Sequence, residues 1–191
     1  AAARVRQGMK AMLRQGSAWQ DVAEGVRAIN EMGLNPRRFI LCTDDSHCQT
    51  LVDEGHVNRA VQQAIKHGVA SVTAIQMATI NTAEHFGLSA HIGMLAPGRF
   101  ADILLVPDLA KLKPNLVIAK GNILAQDGRM VVDLPSFPAP DWALNSVHIP
   151  RRMEAKDFLL PYQPPDGQEP EYVKAHVIGI IENQAPTRHL T

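Results

Sequence analysis

Short continuous apolar runs and helix-spaced apolar positions take turns along the first part of the chain. Residues 9–13 read as a short buried strand, followed by a loop at 14–17. Ser17 with Gln20 matches a capping box, in which a hydroxyl and an amide satisfy the first free N–H groups of a helix. Val22, Val26 and Ile29 then fall at i, i+4 and i+7, one helical face, and Gly33 supplies a stop. Residues 38–42 read as the second strand, continuous and apolar from Phe39 on, as a strand covered on both faces should be. A loop at 43–55 leads to a second helix carrying Val57, Val61, Ala64 and Ile65, which stops near Gly68. Strand, loop and helix, twice over, predict two successive units of a parallel α/β architecture. Ser71 opens a further helical segment with Ile75, Met77 and Ala78. Asn81 with Glu84 matches the cap of a short helix ending at Gly87.

Beyond Gly87 the period changes. Pro97-Gly98 suits the centre of a type II turn, because proline fixes one φ and glycine accepts a positive one. Strands are predicted over 101–106, 116–119 and 123–125, the last two joined near Gly121-Asn122. Asp127-Gly128 is a hairpin signal ahead of a strand at 130–132. Residues 134–170 contain eight prolines and predict an extended connection, after which 176–181 reads as a last strand. The domain expectation is therefore 1–90 as α/β, 91–134 as a small β unit, 135–170 as the proline-rich connection and 171–191 as the start of another domain.

Composition narrows the function classes. The 191 residues are 46% hydrophobic, enough for a sizeable core, and nineteen basic residues balance nineteen acidic ones. Neither nucleic acid nor an anionic membrane is indicated by that balance, and no apolar run is long enough to cross a bilayer. Two cysteines, Cys42 and Cys48, do not make a disulfide framework. A zinc cluster of Cys42, His47 and Cys48 has adjacent ligands on a short loop, a poor fit to tetrahedral geometry. No apolar segment stands behind Ala1-Ala2-Ala3-Arg4, so no signal peptide is read; the first residue is not methionine and the end shows no turn or stop signal, so both ends read as cut.

The chemistry concentrates at Cys42-Thr43-Asp44-Asp45, directly after the second strand. In a parallel barrel the C-terminal ends of strands form the open, reactive face. Adjacent carboxylates repel unless a cation or hydrogen-bond donors compensate them. A divalent metal is one solution, and loop acids capping the next helix are the other; this stretch alone leaves both open. Glu54-Gly55-His56 faces the same end, where His56 is either a substrate contact or an exposed first-turn residue. Arg14 and Ser17 follow the other strand at its C-terminal end and are further candidates to line a pocket, although a capping role accounts for Ser17. No His-x-His pair, Gly-rich phosphate loop, GxSxG elbow or His-x-Glu with Pro-Cys-x-x-Cys signature occurs.

Taken in order, 39–45, 51–56, 74–81 and 92–103 resemble bacterial adenine deaminases. The Met77-Ala78-Thr79-Ile80-Asn81 and Gly93 to Asp102 parts are patterns shared across the amidohydrolase superfamily, whereas Cys42-Thr43-Asp44-Asp45 and Glu54-Gly55-His56 point more narrowly. Residues 177–181 with Thr187-Arg188-His189-Leu190 resemble the start of the C-terminal domain of those enzymes. The resemblance implies the last two strand–helix units of a (β/α)8 TIM-type barrel, followed by strands of a small composite β-sandwich. It implies hydrolysis of adenine to hypoxanthine and ammonia at a pair of divalent metals, manganese or iron with zinc as an alternative. Asp44 is by this pattern both a metal ligand and the catalytic proton shuttle; Asp45 is a neighbouring support or a purine contact. It also implies a small-molecule purine substrate, a role in purine salvage, a cytoplasmic location and a homo-oligomeric full-length enzyme. The other ligands of such a centre have no counterpart in this chain, so the chain by itself is expected to be inactive. Ser46-His47-Cys48 departs from the Ser-Pro turn common in the family at that loop.

Two other readings stand beside it. One is a different amidohydrolase, dihydroorotase-like or N-acetylglucosamine-phosphate deacetylase-like. The other is a non-enzymatic partial barrel whose open sheet edges and apolar face are completed by a partner or a second copy.

Overall fold

The computed structural model describes residues 1–164, 167 and 172–191. They divide into two compact units, Ala1–Val132 with Gly179–Arg188, and Asp133–Ile178 with His189–Thr191.

The first unit is built around a parallel pair. Strand β1 (Ala11–Arg14) lies beside β2 (Phe39–Cys42) in a register that sets Ala11 against Phe39 and Arg14 against Cys42. A short helix α1 (Ala2–Arg6) precedes them, and α2 (Val22–Asn30) connects them in β-α-β order. Ala11 and Leu13 of β1, and Phe39, Ile40 and Leu41 of β2, are buried. Val22 and Val26 pack beneath them as their helical spacing predicts. Gly25 lets α2 sit this close, since a Cβ there would stand 2.5 Å from a Leu13 methyl. After β2 come α3 (Cys48–Asp53), α4 (Val57–Lys66), α5 (Ser71–Ala78) and α6 (Ile80–His85). Ala60, Val61, Ala64, Ala74 and Met77 close the core from that side.

Several local expectations are corrected. The first strand is shifted, so that Arg14 belongs to it and Met9 does not. Ser17 and Gln20 form no capping box, because α2 starts only at Val22, behind Asp21. The loop predicted over 43–55 contains α3. Asn81 is not a cap but lies inside α6, buried, and its amide donates to the carbonyls of Pro36 and Phe39 at 3.0 Å each. That pair of bonds ties α6 to the start of β2.

Strands β3 (Ile103–Leu105), β4 (Leu116–Ala119), β5 (Asn122–Gln126) and β6 (Arg129–Met130) form an antiparallel meander. Its two tight turns have consecutive positive φ values, 49° and 80° at Lys120-Gly121 and 51° and 79° at Asp127-Gly128, the signature of type I′ hairpins. Met94, Leu95, Phe100 and Leu104 stay exposed along an apolar cleft between the α5–α6 region and this sheet.

The second unit carries little regular structure, as its prolines predict. It contains a short helix α7 (Asp141–Leu144) and a 3-10 turn at Ala155–Phe158, closed by a Glu154–Asp157 capping box. Part of the proline-rich stretch, 165–166 and 168–171, lies outside the described residues. Strands β7 (Val177–Ile180) and β8 (Thr187–Leu190) make a two-stranded sheet, of which only β7 was expected. Nδ1 of His176 lies 2.7 Å from Nε2 of His189, a pairing their sequence spacing does not announce. Among the described residues no helix is long and apolar enough to cross a membrane.

Candidate active site

The parallel register brings the C-terminal ends of β1 and β2 to one edge, and the loops leaving them are laced together. Gln15 N–H donates to the Cys42 carbonyl at 2.9 Å, and Ser17 N–H to the Asp45 carbonyl at 2.6 Å. The Asp45 carboxylate receives the Ala18 N–H on Oδ2 at 2.6 Å. Its Oδ1 is buried without a hydrogen-bond partner, pressed against Gly16. Any side chain at Gly16 would collide with it, because a Cβ there would sit 1.8 Å from Asp45 Oδ1. The expected result for Gly16→Ala is therefore a loss of roughly 1–3 kcal/mol of stability, the usual cost of overpacking, read by chemical denaturation. Unchanged stability would mean that the two loops are not held this tightly.

Asp44 turns the other way. Its backbone adopts the left-handed region at φ 61°, which aspartate tolerates better than most residues. Its side chain is 45% exposed, and Oδ2 accepts from Arg14 Nη1 at 2.8 Å. Arg14 is engaged a second time through Nε, which donates to Asp21 Oδ2 at 2.6 Å, and its guanidinium lies 4.7 Å from the centre of the Trp19 ring. Its hydrogen bonds to Asp44 first, and then to Asp21, push the Arg14 pKa further up, so this cation is permanent. The adjacent carboxylates avoid mutual repulsion by taking different partners, a guanidinium for Asp44 and a backbone N–H for Asp45.

Ser17 joins the first loop to α3 rather than capping α2. Its hydroxyl donates to Thr50 Oγ1 at 2.8 Å and accepts the His47 N–H at 2.9 Å. His56 is exposed, and its N–H donates to Asn58 Oδ1 at 2.8 Å. Among the described residues no hydrogen bond joins the His56 ring to the Arg14–Asp44 pair. Glu54 binds Arg59 Nε at 2.5 Å. Arg59 is the residue that pattern reading overlooked. It is 8% exposed, and Nη1 donates to the carbonyls of Gln15 at 3.2 Å and Gly16 at 2.8 Å, bracing the first loop from below. The available signal was its place among Ala60, Val61 and Ala64 on the buried side of α4.

The two cysteines differ in environment. Cys42 is half-buried at the end of β2, and burial first, then the Asp44 charge, pushes its thiol pKa up, whereas Cys48 is exposed. The thiolate is the reactive form, so a raised pKa keeps Cys42 neutral over a wider range of pH. Alkylation by iodoacetamide is expected to reach Cys48 first. Cys42 should follow only as pH rises above the free-thiol range near ~8.5, as peptide mass mapping across a pH series would reveal. Equal rates would show that Cys42 is not shielded.

Among the described residues no group of three or more His, Cys, Asp and Glu side chains converges to hold a metal. Asp44 supplies one exposed carboxylate already paired with Arg14, and the free oxygen of Asp45 is buried. A metal centre needs several converging donors. The residues present do not by themselves fit one.

Residues 2–131 match the model of the amidohydrolase family. The adenine deaminase of Mesorhizobium japonicum is 54% identical over 190 residues, which is 100% of this chain and 31% of that protein. The adenine deaminase of Ruegeria pomeroyi is 51% identical over the same share of each. The more distant adenine deaminase of Rubrobacter xylanophilus is 45% identical over 97% of the chain. The chain thus spans about a third of the length of these relatives. Among solved structures, the β-aspartyl dipeptidase of Fervidobacterium islandicum-AW-1 superposes with a TM-score of 0.52 at 23% identity, covering 68% of this chain and 34% of that one. That likeness bears on the fold alone.

Proposed function

We propose, from the premise that this chain belongs to the amidohydrolase family, that it forms part of an adenine deaminase. The reaction is addition of water at the purine carbon bearing the amino group, with loss of ammonia to give hypoxanthine. One observation carries the reading: 45–54% identity to adenine deaminases runs the whole length of the chain, across both the parallel unit and the segments after it.

Asp44 is the residue we assign to the chemistry. It follows a buried parallel strand, its carboxylate is reachable from solvent, and Arg14 holds only Oδ2. Oδ1 takes a proton from the attacking water and returns one to the leaving amino nitrogen, the work of a general base turned general acid. Asp45, Ser17 and Arg59 hold the two loops in place, and His56 lies outside that network. Divalent ions, manganese or iron with zinc as an alternative, belong to this reading as groups whose other ligands lie outside the chain; bound, such ions lower the pKa of water. With one carboxylate to offer, the chain alone is inactive. The same reading takes the β1–β2 unit as the last two strand–helix units of a (β/α)8 barrel and the β3–β6 meander as part of a composite sandwich. It takes 1–90, 91–134, 135–170 and 171–191 as successive parts. A purine as substrate, a homo-oligomeric assembly and cytoplasmic purine salvage complete it.

The test is a hybrid in which this chain replaces the matching segment of the Mesorhizobium japonicum adenine deaminase. Hypoxanthine and ammonia should form from adenine in equal amounts, and the chain alone should give neither. A hybrid that folds and loads metal like its parent, yet leaves adenine untouched, overturns the reading.

A further inference from the structure

Asp44 stands on a loop and is half open to solvent, so its aim depends on what grips it. An exposed ion pair between two freely moving side chains fixes little. This pair differs because Arg14 is not freely moving. It is the last residue of β1, so its backbone is set by the sheet. Its Nε is held by Asp21 at 2.6 Å, and its guanidinium carbon stands over the Trp19 ring, 4.7 Å from the ring centre. Asp21 is held in turn, since its own N–H donates to the Arg14 carbonyl at 2.9 Å. The loop from 15 to 20 therefore closes on Arg14 twice, once through backbone and once through side chain. Most of the conformational entropy that a free arginine would lose on binding Asp44 has already been lost.

We infer that Arg14 is a positioning residue for Asp44, with Asp21 and Trp19 as its mount. The inference rests on Asp44 being the proton-handling carboxylate. Arg14 engages Oδ2 and keeps Oδ1 directed for reaction; it does not contact the purine. Only a planar cation with several donors can do this. A lysine places one nitrogen where Arg14 places two, and so cannot serve Asp44 and Asp21 with the same fixed fork.

The test has two arms. In the hybrid enzyme, Arg14→Gln and Arg14→Lys should both lower kcat for adenine about ten- to a hundredfold, as a misplaced catalytic group does. KM should stay within about twofold. Asp21→Asn, at a residue that grips Arg14 and makes no hydrogen bond to Asp44, should cost a smaller share of kcat in the same way. Full kcat in Arg14→Lys, or a loss that appears as a raised KM, overturns the inference; the second result would make Arg14 a substrate contact. In the chain alone, the carboxyl-carbon NMR resonance of Asp44 should move in Asp21→Asn as well as in Arg14→Gln, while the melting midpoint changes by less than about 3 °C. A resonance that ignores Asp21→Asn shows that no mount exists. If the wild-type hybrid lacks deaminase activity, the functional reading fails, and the resonance still decides whether Arg14 is mounted.

Discussion

Replacing Asp44 by asparagine in the hybrid enzyme is expected to lower kcat for adenine about a thousandfold, with KM little changed. The amide keeps the size of the side chain and still accepts a hydrogen bond from Arg14 through its carbonyl oxygen. What it loses is the ability to take and return a proton, and the charge. The neighbouring substitution separates chemistry from scaffolding. Asp45 gives its side chain to the Ala18 N–H and its carbonyl to Ser17, and it faces Gly16 at close range. Asp45→Ala should therefore appear as a lower melting midpoint, with a kcat that follows the folded fraction. If Asp44→Asn keeps more than a tenth of the activity, another group handles the proton and the assignment is wrong. If Asp45→Ala abolishes turnover in fully folded enzyme, the roles of the two carboxylates are reversed.

The sequence made the strand–helix alternation legible because burial dictates it. A continuous apolar run at 39–42 has few uses other than a covered strand, and Val22 and Val26 fall where a covered helix face requires them. Asp127-Gly128 was equally readable, since few residue pairs adopt two positive φ values without cost. Capping patterns were less reliable. Ser17-x-x-Gln20 and Asn81-x-x-Glu84 both match the box, yet each polar side chain is claimed by a partner far away in sequence, Thr50 for Ser17 and the Phe39 carbonyl for Asn81. A long-range bond of this kind leaves no trace in local spacing. The same limit hid most of the site. Asp44 was a candidate because it follows a strand, and its role came from the resemblance. Trp19 and Asp21 act through the closure of the 15–20 loop on Arg14, and Arg59 through bonds from α4 to the Gln15 and Gly16 carbonyls, none of which local spacing announces. The His176–His189 pair waited on β8, which lacks the apolar alternation that marks a strand.

Arg59 carries the largest expected effect on stability. Its guanidinium is buried beneath the loop that follows β1, and it supplies three things: a donor for the Gln15 carbonyl, a donor for the Gly16 carbonyl, and a partner for Glu54. Hydrogen bonds from a charged donor are worth roughly 1.5–3 kcal/mol each, and a buried acceptor left without a donor costs about 1–3 kcal/mol. Glu54 adds little, because its side chain is 53% exposed and water replaces the lost partner. Arg59→Ala is therefore expected to destabilise the chain by about 2–4 kcal/mol, measured by chemical denaturation. Arg59→Lys should recover only part of this, since one ammonium has neither the reach nor the fork to serve two carbonyls and a carboxylate together. The loss should also be coupled to the loop. Gly16→Ala disturbs the segment that Arg59 braces, so the double variant should lose less than the sum of the two single changes. Strict additivity would mean that Arg59 stabilises α4 alone. The carboxylate at Asp44 would then depend on Arg14 and its mount, with no contribution from the helix beneath.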